Sequence, residues 1–256
     1  MPKAMHKKLA IALLLAAGAV APAYADNVGD LLSGVRKECR GCDLHGVSFK
    51  KADLSGVDFT GANLAGASFH RAVLKGAIFD KVKADGANFN LADLSNASFV
   101  GATLTNTMFY EAQLDGAKLD GANLKGTHVQ RARMTRVSAV KSDFDQATMT
   151  EVRLNFAKLQ GASLVSANLG QASVGNTDFD DTHVDHANLQ YAKASNATFR
   201  GATINQTDFY GAQLRNIDFG KATITANRFT TADLSGATFD GAQLANNYMA
   251  DGHLQQ

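Results

Sequence analysis

The sequence predicts an all-β fold, a solenoid whose coil turns four corners every 20 residues. Three observations predict it. From Leu44 to Met249 every fifth residue is apolar, over 42 consecutive positions without a slip in register. The residue two places earlier, from Cys42 to Asn247, is Ala at 27 of those 42 positions. Gly recurs two places after the large residue, as at Gly56, Gly66, Gly76, Gly116 and Gly236. A period of five fits neither a helix, with 3.6 residues per turn, nor a simple strand with its period of two. On a helix, a five-residue stripe would rotate by roughly 140° per step and smear around the surface. A backbone that turns one corner per five residues keeps the stripe on one side, and four corners close a square.

The N-terminus precedes that pattern. Lys3, Lys7 and Lys8 lead into the apolar run LAIALLLAAGAV over residues 9–20, and Ala23-Tyr24-Ala25 follows. A basic stretch, a short apolar run and small residues at −3 and −1 form a secretory signal, with cleavage between Ala25 and Asp26. The run is too short for a membrane anchor, which takes about 18 to 20 apolar residues. No later segment is apolar enough to span a bilayer, so the mature chain is expected in the periplasm or secreted, with no transmembrane segment. Three of the 25 Lys and Arg residues lie in the leader, leaving 22 against 24 Asp and Glu. That balance excludes a general attraction to nucleic acid or to anionic membrane. Low proline (2 residues) and abundant Leu and Phe exclude disorder.

Residues 26–41 form the expected N-terminal cap. Leu31, Leu32 and Val35 at helical spacing within Asp30–Lys37 predict a short helix that covers the first coil. Cys39 and Cys42, the only cysteines, open that coil as C-R-G-C. An oxidising compartment favours a structural disulfide. Two buried thiols and a redox-active C-x-x-C stay open as alternatives, although no thioredoxin-like context surrounds the pair. Asp43 stands where haem attachment would want His.

Within the solenoid, residues 42–249, the large and small positions point inward and the other three face solvent or form the corner. Gly and Asn at the corner tolerate the positive φ a tight turn demands. Motifs such as Ala62-Asn63-Leu64-Ala65-Gly66, Ala92-Asp93-Leu94-Ser95-Asn96 and Ala232-Asp233-Leu234-Ser235-Gly236 follow the pattern A(D/N)LxG. By these motifs the chain resembles the pentapeptide-repeat proteins over residues 42–249. The resemblance implies a right-handed quadrilateral β-helix, here of about ten coils and roughly 50 Å long at strand-like spacing. Phe recurs every ten residues from Phe49 to Phe109 and again from Phe199 to Phe239, so two opposite walls should be Phe-rich. Between Leu119 and Leu169 that row gives way to Leu, Val, Ala and Met, with Phe144 on the adjoining wall. The tail, residues 250–256, is too short for a convincing capping helix. The far end is read as a frayed last coil that could also support weak self-association.

Residues 20 apart stack on neighbouring coils. Arg133 therefore lies against Arg153, and Arg136 against Phe156, in the irregular centre of the rod. A row of like charges about 5 Å apart is unfavourable unless an anion or partner neutralises it. Arg beside an exposed aromatic is interface composition. These four residues are the candidate binding surface. The plainer alternative, Arg side chains splayed into water beside a single exposed Phe, stays open, because lone surface hydrophobes are ordinary. Glu111, Arg131 and Glu151 stack with alternating sign and read as a surface ladder. His183 and His186, with Asp180, Asp181 and Asp185, flank a corner without converging, so no metal is assigned.

No nucleophile elbow, P-loop or HExxH motif is present. A convex rod offers its carboxylates no cleft. The expected function is a non-catalytic exported scaffold without a cofactor, whose partner is a protein or envelope component and not nucleic acid. Some proteins of the resembled family mimic DNA and protect type II topoisomerases. That role implies an acidic cytoplasmic rod with a C-terminal dimerisation module, from which this sequence departs. A thiol-disulfide redox role at Cys39 and Cys42 is the third reading.

Overall fold

The computed structural model describes residues 28–255. The leader and its expected cleavage site at Ala25 and Asp26 lie outside the described residues. From Glu38 onward the chain forms parallel bridges to the residue 20 positions ahead, from Glu38↔Asp58 to Arg228↔Tyr248. The coil thus closes every 20 residues, and the ladder begins at Glu38, ahead of the expected start at residue 42. Each side of the coil is so narrow that pairing is mostly a single bridge per side. Longer strands occur on one side towards the C-terminus: β1 (His183–Asp185), β2 (Thr203–Asn205), β3 (Thr223–Thr225) and β4 (Gln243–Ala245). They form a four-stranded parallel sheet in the order β1-β2-β3-β4.

The repeat unit follows from where its backbone groups go. In the unit around Phe59, the Phe59 N–H donates to Ile78 O (2.7 Å) and Gly61 N–H to Asp80 O (2.8 Å). Asn63 N–H reaches back to Cys42 O (2.9 Å), and Ala62 N–H closes the corner on Phe59 O (2.8 Å). The fifth N–H, just before the corner glycine, is met by a side chain: Thr60 N–H donates to Asp58 Oδ1 at 2.8 Å. Elsewhere it is met from the coil below, as Tyr110 N–H by Asn90 Oδ1 (2.8 Å) and Val140 N–H by Asp120 Oδ1 (2.9 Å). Buried or half-buried backbone donors require such partners. The Asp or Asn of the A(D/N)LxG pattern, such as Asp58, and an Asp or Asn at its x place, such as Asn90 and Asp120, are therefore backbone acceptors before they are surface groups.

All 42 corner positions from Gly41 to Asn246 have φ between 46° and 73°. Together with the corner hydrogen bond, which forms except at His186, Gln206, Ala226 and Asn246, this is the type II turn, which needs a left-handed residue at its third position. Sixteen of these corners are Gly and 26 are not; Leu91, Phe156 and Thr231 adopt φ of 62°, 62° and 60°. Inter-coil hydrogen bonds on both sides hold these residues where an isolated chain would avoid them.

The interior is one continuous core of the large and small positions. On the two Phe walls the rings stack at the coil repeat, with Phe69–Phe89 at 4.8 Å and Phe79–Phe99 at 4.7 Å between centroids. Rings ten residues apart meet edge-to-face, as Phe89–Phe99 at 5.9 Å. Both arrangements suit the ring quadrupole. The irregular centre, including Met134, Ala139, Phe144 and Met149, is equally buried.

Two ends of the rod differ from expectation. Among the described residues helix α1 is seen over 28–32, ending five residues short of the expected Lys37. Val28 and Leu31 join the core, whereas Val35 is 79% exposed. Gly34 sets this limit: at φ 74° it takes the left-handed position after the helix, and its N–H donates to Leu31 O. At the other end the chain folds back instead of fraying. Strands β5 (Asn247–Tyr248) and β6 (Leu254–Gln255) pair antiparallel over the last coil. Cys39 and Cys42 form a disulfide across the first corner, whose N–H of Cys42 also donates to Cys39 O.

The small inward position carries a further surprise. Thr107, Thr177, Asn227 and Asn247 are wholly or almost wholly buried there. Each donates to a backbone carbonyl 23 residues earlier: Thr107 to Ala84, Thr177 to Leu154, Asn227 to Ile204 and Asn247 to Ile224. The carbonyls of Ala84 and Leu154 also close their own corners, accepting the Ala87 and Ala157 N–H groups, whereas Ile204 and Ile224 accept no corner N–H and depend on the Asn side chains.

Candidate functional site

The five-residue corner places the four predicted site residues around a single side of the rod. Arg133 and Arg153 are bridge partners on the flat of that side. Arg136 and Phe156 sit at successive corners along one of its edges, each in the left-handed conformation. The Arg136 guanidinium lies over the Phe156 ring, 5.7 Å from its centroid, and Phe156 is 53% exposed. Cation–π contact at this distance is favourable and keeps the ring turned towards the Arg side chains.

The like charges of Arg133 and Arg153 are not equivalent. Arg133 pairs with Asp115, Nη2 to Oδ2 at 2.9 Å. The other oxygen of Asp115 accepts the N–H of Thr135 at 3.2 Å. Arg153 has no carboxylate partner among the described residues. The pair is thus half neutralised, and the uncompensated charge lies at Arg153.

Along the opposite edge the alternating ladder forms as its register requires. Arg131 Nε and Nη2 donate to the two carboxylate oxygens of Glu151 at 3.1 and 3.3 Å. Arg131 also faces Glu111 at 4.0 Å and donates to the Tyr110 hydroxyl at 3.3 Å. Glu151 first, and then Tyr110, hold the Arg131 guanidinium above its ordinary value.

Between this edge and the flat runs a shallow open groove in two connected stretches. The lower, about 400 Å³, is lined by Glu111, Gln113, Arg131, Arg133, Glu151 and Arg153. The upper, about 610 Å³, shares Glu151 and Arg153 and continues past Ser173 and Tyr191 to Lys193 and Gln213. Lys193 lies two coils above Arg153 on the same flat, with Ser173 bridged to both. It too has no carboxylate partner among the described residues. Tyr191 is 51% exposed and lies against Gly211, where an added Cβ would stand 2.7 Å from the ring. Tyr210 meets it edge-on at 5.6 Å. The missing side chain at Gly211 is what lets the ring lie along the rod.

Asp115, Lys193 and Tyr191 were not singled out by sequence. Lys193 and Tyr191 were within reach, being 40 residues from Arg153 and Glu151. Asp115 needed an offset of 18, which the structure shows to be recurrent: Arg40–Asp58, Lys75–Asp93, Arg200–Asp218 and Arg215–Asp233 also pair so.

His183, His186 and the neighbouring carboxylates do not converge on one point, although His186 pairs with Asp185. Asp185 engages His186 Nδ1 at 3.0 Å and Asn205 Nδ2 at 2.7 Å, and Asp180 accepts the Arg200 N–H at 2.9 Å. Among the described residues no group of three or more His, Cys, Asp or Glu side chains is arranged to hold a metal. Nor is any helix among them long and apolar enough to cross a membrane.

Two family models match the chain. One, described as a pentapeptide repeat region, covers residues 52–129 and 156–229. The other, described as pentapeptide repeats (8 copies), covers residues 37–61 and 130–164. No curated protein matches. Among solved structures, the chain is similar to HetL, a pentapeptide repeat protein involved in heterocyst differentiation regulation from the cyanobacterium Nostoc sp. strain PCC 7120. Identity is 24%, with 90% of this chain and 98% of HetL covered and a TM-score of 0.35. A pentapeptide repeat protein from the Arabidopsis thaliana thylakoid lumen is similar at 27% identity, over 47% of this chain and 66% of that one, with a TM-score of 0.34. Full-length QnrB1, a plasmid-mediated fluoroquinolone resistance protein, shares 16% identity over 82% of this chain and 94% of its own, with a TM-score of 0.31.

Proposed function

Because this chain belongs to the pentapeptide-repeat family, we propose that it is a non-catalytic exported scaffold, a rigid rod of about ten coils capped by α1. One side of it docks a protein or envelope partner. The observation that carries the reading is the stack of Arg133 on Arg153, with Arg136 over Phe156 along the adjoining edge. A charge left uncompensated at Arg153, next to an exposed ring held in place, is what a partner with acidic and apolar groups would recognise. The rod's inter-coil hydrogen bonds keep that side fixed, so little ordering cost falls on binding. Export rests on the leader at residues 1–25. Near-neutral charge argues against a DNA-mimicking role, and burial of Cys39 within the first coil favours a fastening disulfide over redox exchange.

The test is affinity capture of the chain from the periplasm of the producing cell, compared with an Arg133→Ala/Arg153→Ala variant. A partner retained by the parent and lost by the variant supports the reading. Equal capture by both removes this side of the rod from the function, and recovery of uncleaved protein from the cytosol removes export.

A further inference from the structure

The groove beside the proposed docking side has a chemistry of its own. Its upper stretch holds two cations without carboxylate partners among the described residues, Arg153 and Lys193, one coil either side of Ser173. Gln171 and Gln213 add amide donors and acceptors, and Tyr191 adds an aromatic face seated on Gly211. The cations stand two coils apart, about 9.6 Å at strand spacing, close to the span of two pyranose rings.

Three features select among elongated anions. The side's backbone groups are spent on neighbouring coils: Leu154 N–H donates to Ser173 O and Val174 N–H to Lys193 O. An extended peptide would therefore find no sheet edge to join and would have to bind through side chains alone. Glu111 lines the lower stretch alone and Glu151 is engaged by Arg131, so the uncompensated positive charge, and with it an anionic chain, belongs to the upper stretch. A fixed aromatic face, with amides and a hydroxyl around it, suits a sugar ring that offers an apolar C–H surface and a rim of hydroxyls.

We propose that this groove binds a linear polysaccharide bearing carboxylates, such as a polyuronate. Tyr191 supports one ring, and Arg153 and Lys193 meet carboxylates two units apart. Arg153 offers its planar fork to one carboxylate, Lys193 a point charge to the other. Gln171, Ser173 and Gln213 take the hydroxyls between. The proposal rests on the scaffold reading and names the chemical class of the partner.

The experiment is calorimetric titration of the purified chain with alginate oligosaccharides, alongside neutral dextran and poly-glutamate. Alginate binding is expected, weakened by added salt, and falling by about tenfold or more in Arg153→Gln/Lys193→Gln. Tyr191→Ala should lose a similar factor while Tyr191→Phe retains affinity, which separates a stacking face from a hydroxyl contact. All four substitutions lie on the surface, and unchanged circular dichroism confirms that the variants fold. Absence of alginate binding, equal affinity for dextran, tighter binding of poly-glutamate, or indifference to these substitutions overturns the proposal. Capture of a protein partner dependent on Arg133 and Arg153, without alginate binding, overturns the glycan and leaves the scaffold standing.

Discussion

The side-chain oxygen of the buried Asn247 accepts the backbone N–H of Asn227 at 2.9 Å and its side-chain N–H₂ at 3.1 Å. Asn227 repeats the pattern one coil below, accepting the Thr207 N–H at 2.8 Å and donating to Ile204 O at 2.9 Å. Two adjacent coils are thus tied by amides inside an apolar core.

Replacing Asn227 by Ala removes those bonds and leaves the Thr207 N–H and the Ile204 carbonyl buried without partners. The expected loss is about 2–4 kcal/mol, from unmet donors and acceptors. Thr at the same place can still reach the carbonyl 23 residues earlier, as Thr177 reaches Leu154 O at 2.7 Å. Asn227→Thr should therefore cost less than half as much. Urea denaturation of the two variants measures the difference, and equal losses would show that the carbonyl contact contributes little.

That ladder marks the edge of what the sequence could disclose. The inward rows were legible because Leu44 to Met249 keep one period, and only a chain turning every five residues can keep such a row inside. Stacking of Arg133 on Arg153 was legible for the same reason, being a matter of counting 20. What counting does not supply is the direction a side chain leans. Arg133 leans to Asp115 on the coil below, and Tyr191 lies flat because Gly211 has no Cβ. The role of Asn227 in a row of mostly Ala was not legible, because its partners, the Thr207 N–H, the Ile204 carbonyl and Asn247 Oδ1, belong to other coils. The end of α1 was misplaced because helical spacing of Leu31, Leu32 and Val35 says nothing of Gly34 turning left-handed.

The corners offer a stabilising change. Thr231 holds φ 60°, a conformation that a β-branched residue adopts only under constraint. Left-handed geometry costs an L-residue roughly 1–2 kcal/mol, of which Gly returns about 0.5–1 through its freer unfolded chain. Thr231→Gly is expected to raise stability by up to about 1 kcal/mol, read as a higher melting temperature. Gly61→Val, the reverse at a corner with φ 68°, should lower it.

The disulfide makes a local contribution. It closes a loop of only four residues, for which the chain-entropy account gives about 2 kcal/mol. A repeat rod transmits such a loss chiefly to neighbouring coils. In Cys39→Ser/Cys42→Ser, hydrogen exchange should quicken at the first coil, for instance at the Leu44 and Phe49 amides. The Phe209 and Phe229 amides should keep their protection. Uniform quickening along the rod would instead mean that the first coil governs global unfolding.

Acid should weaken the rod through its Asx carboxylates. Burial pushes the Asp208 carboxyl up, but the Arg228 guanidinium, the Tyr210 N–H and Gln190 together outweigh it and hold it below the ordinary carboxylate value. Asp93 is lowered likewise, with burial opposed by Ser95 and Lys75. A carboxyl depressed in the folded chain binds fewer protons there than when unfolded, so stability rises with pH wherever the two differ. The contribution is fully present above the unfolded value, near 3.9, and is lost as pH falls through the folded one. Melting temperature should therefore hold steady from neutral pH to about 5 and fall below that. Asp208→Asn keeps an acceptor for the Tyr210 N–H but cannot gain a proton. Its melting temperature should be lower at pH 7, for want of the Arg228 pair, and should decline less steeply in acid. Parallel acid profiles for parent and variant would assign the acid sensitivity to other carboxyls.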